Sequence, residues 1–132
     1  MAIVLDTSVL VALEKDNKDI ISKLRKISEF HKTRPFVASI SLAEIMCGAL
    51  NQNIKKQIKV IENFKDYHIL NSSFSSSMIL ANFSHVLNKK GKRIPITDLI
   101  IASIAIDNDL NLVTLDNHFN RIPGLNVLYI GK

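Results

Sequence analysis

The chain has 132 residues, a formal net charge of +5 and 47% apolar residues: one domain's length, with enough apolar material for a core. Charged residues are only 22%, and the lack of low-complexity tracts excludes a disordered chain. No segment approaches the roughly 20 apolar residues of a membrane span, and a single cysteine excludes an internal disulfide.

A mean hydropathy of +0.16 is high for so small a chain, so some apolar surface is expected to meet a partner. The pI of about 9.4 favours anionic partners such as nucleic acid. The excess of lysine, isoleucine and asparagine is also what an AT-rich genome produces, so the pI carries little weight by itself. The opening Met-Ala-Ile-Val-Leu-Asp6 has no basic n-region and does not read as a signal peptide; the cytoplasm is the expected location. Cys47, in an apolar helix-like run, reads as a small buried hydrophobe rather than a catalytic thiol.

In chain order, Ala2–Leu5 is a strand-like run ending at Asp6-Thr7-Ser8. The polar run Asp16–Asp19 opens a helix on which Ile20, Ile21, Leu24 and Ile27 recur at helical spacing, and Pro35 closes it. Phe36–Ile40 reads as a second strand. Ser41–Leu50 and Ile54–Phe64 read as helices parted near Asn51–Asn53. Tyr67–Leu70 reads as a third strand, and Ser75–Lys89 as a longer helix with Met78, Ile79, Val86 and Leu87 on its apolar face. Gly91 and Pro95 punctuate the chain before the apolar helix Thr97–Asn108. Asn111–Leu115 is a fourth strand, Asn117–Arg121 a helical turn and Asn126–Ile130 a fifth strand. Strands alternating with helices predict an α/β fold, a parallel sheet between helical layers.

Ligands of such sheets bind beyond the carboxyl ends of the strands. Four of the twelve acidic residues fall at strand exits or helix entries. Asp6 follows the first strand, Glu44 opens the helix after the second, Asp98 opens the apolar helix, and Asp116 follows the fourth strand. Each has a plain structural alternative. Asp6 and Asp116 could be N-caps, Ser41-Leu42-Ala43-Glu44 matches a capping box, and Thr97 could cap a helix whose dipole Asp98 complements. Caps do not explain why carboxylates recur in settings as apolar as Ile3-Val4-Leu5-Asp6 and Asp98-Leu99-Ile100-Ile101. If the four converge, they repel and some pKa values rise. A hard divalent ion such as Mg²⁺ removes that cost and bridges to phosphate, which suits phosphodiester cleavage by a metal-activated water.

At these positions the sequence resembles the PIN-domain nucleases and, within them, the VapC-type toxins of bacterial and archaeal toxin–antitoxin pairs. The resemblance lies in Val4–Leu10, Ala38–Ala49, Asp98–Ala102 and Leu112–Phe119, with Ile122-Pro123-Gly124-Leu125 behind them, in family order across nearly the whole chain. It implies one PIN-like nuclease domain over 1–132, a three-layer α/β/α sandwich with a five-stranded parallel sheet, Mg²⁺ or Mn²⁺ dependence, and endonucleolytic cleavage of RNA. It makes Asp6, Glu44, Asp98 and Asp116 the catalytic, metal-binding quartet, with Thr7, Ser8 and Thr114 as supporting hydroxyls. Asn117 and His118 stand where some relatives carry another acid, which puts a full second metal site in doubt. The resemblance also implies a small antitoxin that covers the acidic pocket.

Lys89, Lys90, Lys92 and Arg93, just ahead of Asp98, are the candidate RNA-gripping cluster. Lys55, Lys56 and Lys59, like Lys23, Arg25 and Lys26, read as solvated faces. The histidines at 31, 68, 85 and 118 lack zinc-ligand spacing with Cys47, and His118 reads as a loop residue. No nucleotide-cofactor motif occurs. Apolar segments at Leu99–Ile106, Ile45–Cys47 and Ile58–Ile61 suggest a symmetric homodimer. The alternatives are a PIN nuclease of housekeeping RNA maturation, a phosphorylation-receiver domain and a non-catalytic binding module.

Overall fold

The structure, a computed structural model, describes residues 2–31 and 34–132. Five short strands, β1 (Ile3–Leu5), β2 (Phe36–Ala38), β3 (His68–Leu70), β4 (Asn111–Thr114) and β5 (Val127–Tyr129), form one sheet in the order β3-β2-β1-β4-β5. Every neighbouring pair is parallel, as the alternation of elements predicts. β1, β2 and β4 are largely buried, so β1 and β2 read as unbroken apolar runs and β4 carries the adjacent pair Leu112-Val113 rather than an alternating pattern.

The helices are α1 (Thr7–Glu14), α2 (Lys18–His31), α3 (Ser39–Leu50), α4 (Ile54–Phe64), α5 (Phe74–Lys89) and α6 (Ile96–Asp107), and a 3₁₀ turn covers Asn117–Arg121. Successive strand residues point to opposite faces. Val4, Ala38 and Leu112 join α5, α6 and Phe119 in one core. Ile3, Leu5, Val37 and Val113 join α1, α2 and α4 in the other, with Ala49 of α3. No helix among the described residues is long and apolar enough to cross a membrane.

Several local expectations change. Helix α1 occupies Thr7–Glu14, where no helix is predicted; its Val9, Leu10 and Ala12 are buried. The second strand stops at Ala38 rather than Ile40, and α3 starts at Ser39. On α5 the core residues are Phe83 and Leu87, whereas Met78 and Val86 are exposed. Cys47 is exposed rather than buried, because the core-facing stripe of α3 runs through Ser41 and Ala49. Helix α6 is packed into the first core through Leu99, Ile101, Ala102, Ile104 and Ala105, so most of its apolar surface is used within the chain and is not available for a dimer.

The sheet order disposes of the receiver alternative, which has the flavodoxin-like order 2-1-3-4-5. Here the chain leaves β1 toward β2 and β3 on one side, then returns to place β4 on the other side of β1. The topological switch point is the crevice between the carboxyl ends of β1 and β4.

Candidate active site

The register Leu5↔Val113 sets the next residues, Asp6 and Thr114, side by side at that switch point. Asp6 is 2% exposed and Thr114 fully buried. The Asp6 backbone N–H donates to Val113 O at 2.9 Å, which extends the ladder one step and fixes the carboxylate. Oδ2 of Asp6 accepts from Ser8 Oγ at 2.7 Å and from Thr114 Oγ1 at 2.8 Å. Each hydroxyl accepts a backbone N–H in turn: Leu115 N–H to Ser8 Oγ at 3.2 Å and Asp116 N–H to Thr114 Oγ1 at 3.0 Å. Those N–H groups leave each hydroxyl only its own proton to give, and both protons go to the same carboxylate oxygen.

The other oxygen, Asp6 Oδ1, is buried and has no hydrogen-bond partner. A buried, unpaired carboxylate oxygen is costly. The chain thus holds Asp6 by one oxygen and leaves the second bare.

Glu44 is anchored from the next helix. Thr7 Oγ1 lies 2.9 Å from Glu44 Oε1, to which it donates, and 2.9 Å from the buried Ser41 Oγ. Ser41 is therefore engaged with Thr7 and the capping box does not form; the N-cap of α3 is Ala38. Glu44 sits in the second turn, its side chain at the surface. Nor do the other capping alternatives hold. Asp6 and Asp116 occupy N-cap positions without making a side-chain cap hydrogen bond, and Pro95, not Thr97, is the N-cap of α6.

Asp98 lies in the first turn of α6, where the helix dipole favours its charge. His118 Nε2 is 2.9 Å from Asp98 Oδ2, and the His118 ring stacks on the buried Phe119 at 4.7 Å. Burial pushes the Asp98 carboxyl above its ordinary range, and the Asp6 charge adds to this. The His118 charge and hydrogen bond oppose it, and Glu44 reinforces it. The charges of Asp6 and Glu44 thus both reach Asp98. Asp116 is exposed and joins the group through its backbone N–H to Thr114.

Among the described residues no three histidine, cysteine, aspartate or glutamate side chains close into a ready cage for a metal. The arrangement is more open: a bare buried oxygen on Asp6, an Asp98 whose proton affinity is raised by burial and by the charges of Asp6 and Glu44, and oxygen donors throughout. Mg²⁺ and Mn²⁺ fit that donor set, and Mg²⁺ takes only one or two carboxylates while keeping several waters. Lys89, Lys90, Lys92 and Arg93 are all exposed, at the end of α5 and in the turn before α6. His118, which reads from the sequence as a loop residue that could touch substrate, pairs with Asp98 instead. Its position two residues after Asp116 was the available signal, but its partner is 20 residues away, at Asp98.

The sequence matches the PIN domain family over residues 3–125. It is 30% identical over 138 residues to Ribonuclease VapC1 of Rickettsia felis, an alignment covering 100% of this chain and 98% of that relative. It is 34% identical over 104 residues to Ribonuclease VapC3 of Methanocaldococcus jannaschii, covering 79% and 98%. The fold superposes with a TM-score of 0.87 and 26% identity on a chain of the crystal structure of VapBC2 from Rickettsia felis bound to a DNA fragment from their promoter, over 98% of both chains. The chain belongs to the PIN domain family.

Proposed function

We propose that this protein is a metal-dependent endoribonuclease, the toxin of a toxin–antitoxin pair. The observation that carries the reading is Asp6, a buried carboxylate at the switch point, gripped on one oxygen by Ser8 and Thr114 and bare on the other. The names of the similar relatives support RNA as the substrate. In this reading Asp6, Glu44, Asp98 and Asp116 are the catalytic and metal-binding carboxylates, and Thr7, Ser8 and Thr114 hold them in position. Lys89, Lys90, Lys92 and Arg93 grip RNA phosphates beside the site.

Bound Mg²⁺ or Mn²⁺ supplies the positive charge that activates water and stabilises the leaving oxygen. The chain's own part is orientation. The two hydroxyls fix the plane of Asp6, Thr7 holds Glu44 and His118 holds Asp98, so the carboxylates present themselves without rearrangement.

The reading includes two protein partners. The similar VapBC2 structure comes from a complex on its own promoter DNA, which supports an antitoxin here; an arginine from it suits a carboxylate pocket. The second partner is another copy of the chain. The exposed Leu50, Ile54, Ile58 and Ile61 of α3 and α4 offer the apolar surface for a symmetric homodimer.

The test is cleavage of a defined RNA panel by protein freed of any bound partner. Wild type should cut in Mg²⁺ and stop in EDTA. Asp6→Asn should cut at least about a hundredfold more slowly while keeping its fold. Undiminished cutting in excess EDTA removes the metal from the reading. Full activity in Asp6→Asn removes the carboxylate site.

A further inference from the structure

A groove of about 410 Å³ opens directly off the carboxylates. It shares Thr7 and Glu44 with them and runs between three helices. From α1 come Thr7, Val11 and Glu14, with Lys15 just beyond, and from α3 Glu44, Ile45, Gly48 and Ala49, with Gln52 just beyond; α4 gives Lys56 and Val60. The spacings are helical in each case, so each helix turns one continuous face to the groove. The floor is apolar. Lys15 and Lys56 stand on the rim, and neither makes an ion pair among the described residues. A second hollow next to it contains Lys56 again, with Lys55 and Lys59.

Gly48 supplies an independent observation. Glycine inside a helix costs about 1 kcal/mol relative to alanine. Two ordinary reasons for a glycine are absent. The backbone at Gly48 is not left-handed, since the positive-φ glycines are Gly91 and Gly124. A Cβ at Gly48 would meet nothing within 4 Å, so no close approach within the chain requires the gap. What the missing side chain does provide is room in the groove wall, next to the turn that carries Glu44.

We propose that this groove is a nucleotide subsite. It seats the base and ribose of the single-stranded RNA nucleotide flanking the bond cut at the carboxylates, while Lys15 and Lys56 hold the adjoining phosphates. The inference rests on the nuclease reading above. Continuity with the carboxylates places the occupant one step from the reacting phosphate. An apolar floor takes an unstacked base, and the rim cations take its backbone. The Gln52 amide can both donate to and accept from a base edge. Glu14, two turns along α1 from Thr7, accepts a hydrogen bond from Asn63 Nδ2 at 2.8 Å. The RNA then runs from the Lys89–Arg93 turn, past the acids, into the groove, so Lys56 passes from a solvated face to a substrate contact.

The test uses the full chain and a fluorescein-labelled, randomised 12-nucleotide single-stranded RNA. Binding is read by anisotropy in EDTA and cleavage in Mg²⁺. Gly48→Leu, which fills the groove, should weaken binding and slow cleavage at least tenfold, with a melting temperature equal to or above wild type. Lys15→Gln with Lys56→Gln should lower the slope of log affinity against log salt by about 1.4, two phosphates at about 0.7 each; this pair decides the matter if Gly48→Leu misfolds. A folded Gly48→Leu protein that binds and cuts like wild type overturns the subsite. If that variant instead loses its co-expressed protein partner, the groove belongs to a protein segment. A wild type that neither binds nor cuts RNA overturns the nuclease reading as well, so the two failures are told apart.

Discussion

Helices α6 and α4 lie on opposite faces of one sheet, and, the terminal Ile96 of α6 apart, their isoleucines meet different fates. On α6, Ile101 and Ile104 are sealed under α5 and against β1 and β4. On α4 only Val60 and Phe64 turn inward, while Ile54, Ile58 and Ile61 remain 68, 54 and 50% exposed. Equal hydrophobicity in the sequence therefore serves two purposes. The α6 face supplies stability and positions Asp98; the α4 face leaves apolar surface and a groove for something outside the chain.

The contrast can be broken most forcefully at Ile101. Ile101→Ala opens a cavity in the sealed face and should cost about 2–5 kcal/mol in urea unfolding; a loss below 1 kcal/mol would mean that the α6 side is no better packed than the α4 side. At the seam between the faces, Thr114→Val keeps the shape but removes one of the two donors to Asp6. Metal affinity by calorimetry should drop roughly 10- to 100-fold with little change in fold, and unchanged affinity would free Asp6 from its hydroxyl cradle.

Asp98 sharpens the comparison through charge. Its folded pKa is raised, so the native state holds its proton more tightly than the unfolded chain does. Stability therefore falls as pH rises from the ordinary carboxylate range through the raised value, and the penalty is complete once the pH exceeds that value. Asp98→Asn should melt higher than wild type in EDTA at pH 7, and lose that advantage at pH 3 and in excess Mg²⁺. A variant that melts lower at pH 7 in EDTA would show that its carboxylate is not under repulsion. The smallest effect belongs to α4. Ile58→Ser should change the stability of the isolated chain by no more than about 0.5 kcal/mol, yet convert a dimer to a monomer in sedimentation at micromolar concentration. A wild type that sediments as a monomer removes the dimer.

The sequence placed β1, β2 and β4 to within a residue or two because buried parallel strands are short apolar runs closed by polar residues, as in Ile3-Val4-Leu5-Asp6. Helix α1 was illegible for the same reason. Ser8-Val9-Leu10-Val11-Ala12-Leu13 has no polar face to set a helical period, and only tertiary packing makes it a helix. The boundary at Ala38 was hidden because Val37-Ala38-Ser39-Ile40-Ser41 alternates as a strand does while turning into α3. The carboxylates were visible at their strand exits. Of their partners, Thr7, Ser8 and Thr114 come with the resemblance, but the pairing of His118 with Asp98 exists only once the turn after β4 meets α6, and the groove at Gly48 only once α1, α3 and α4 are brought together.

The bond between Thr114 and Asp6 spans 108 residues of sequence. β1, the central strand, is made well before its β4 neighbour and gains it only after everything between them has been synthesised. Closing so long a loop is entropically the slow part of folding. Until it closes, Asp6 lacks a donor, Thr114 and Asp116 are elsewhere, and the acids have no common pocket. A chain that stops short of β4 therefore carries the aspartate without the site, so the order of synthesis itself delays any nuclease activity until β4 has been made.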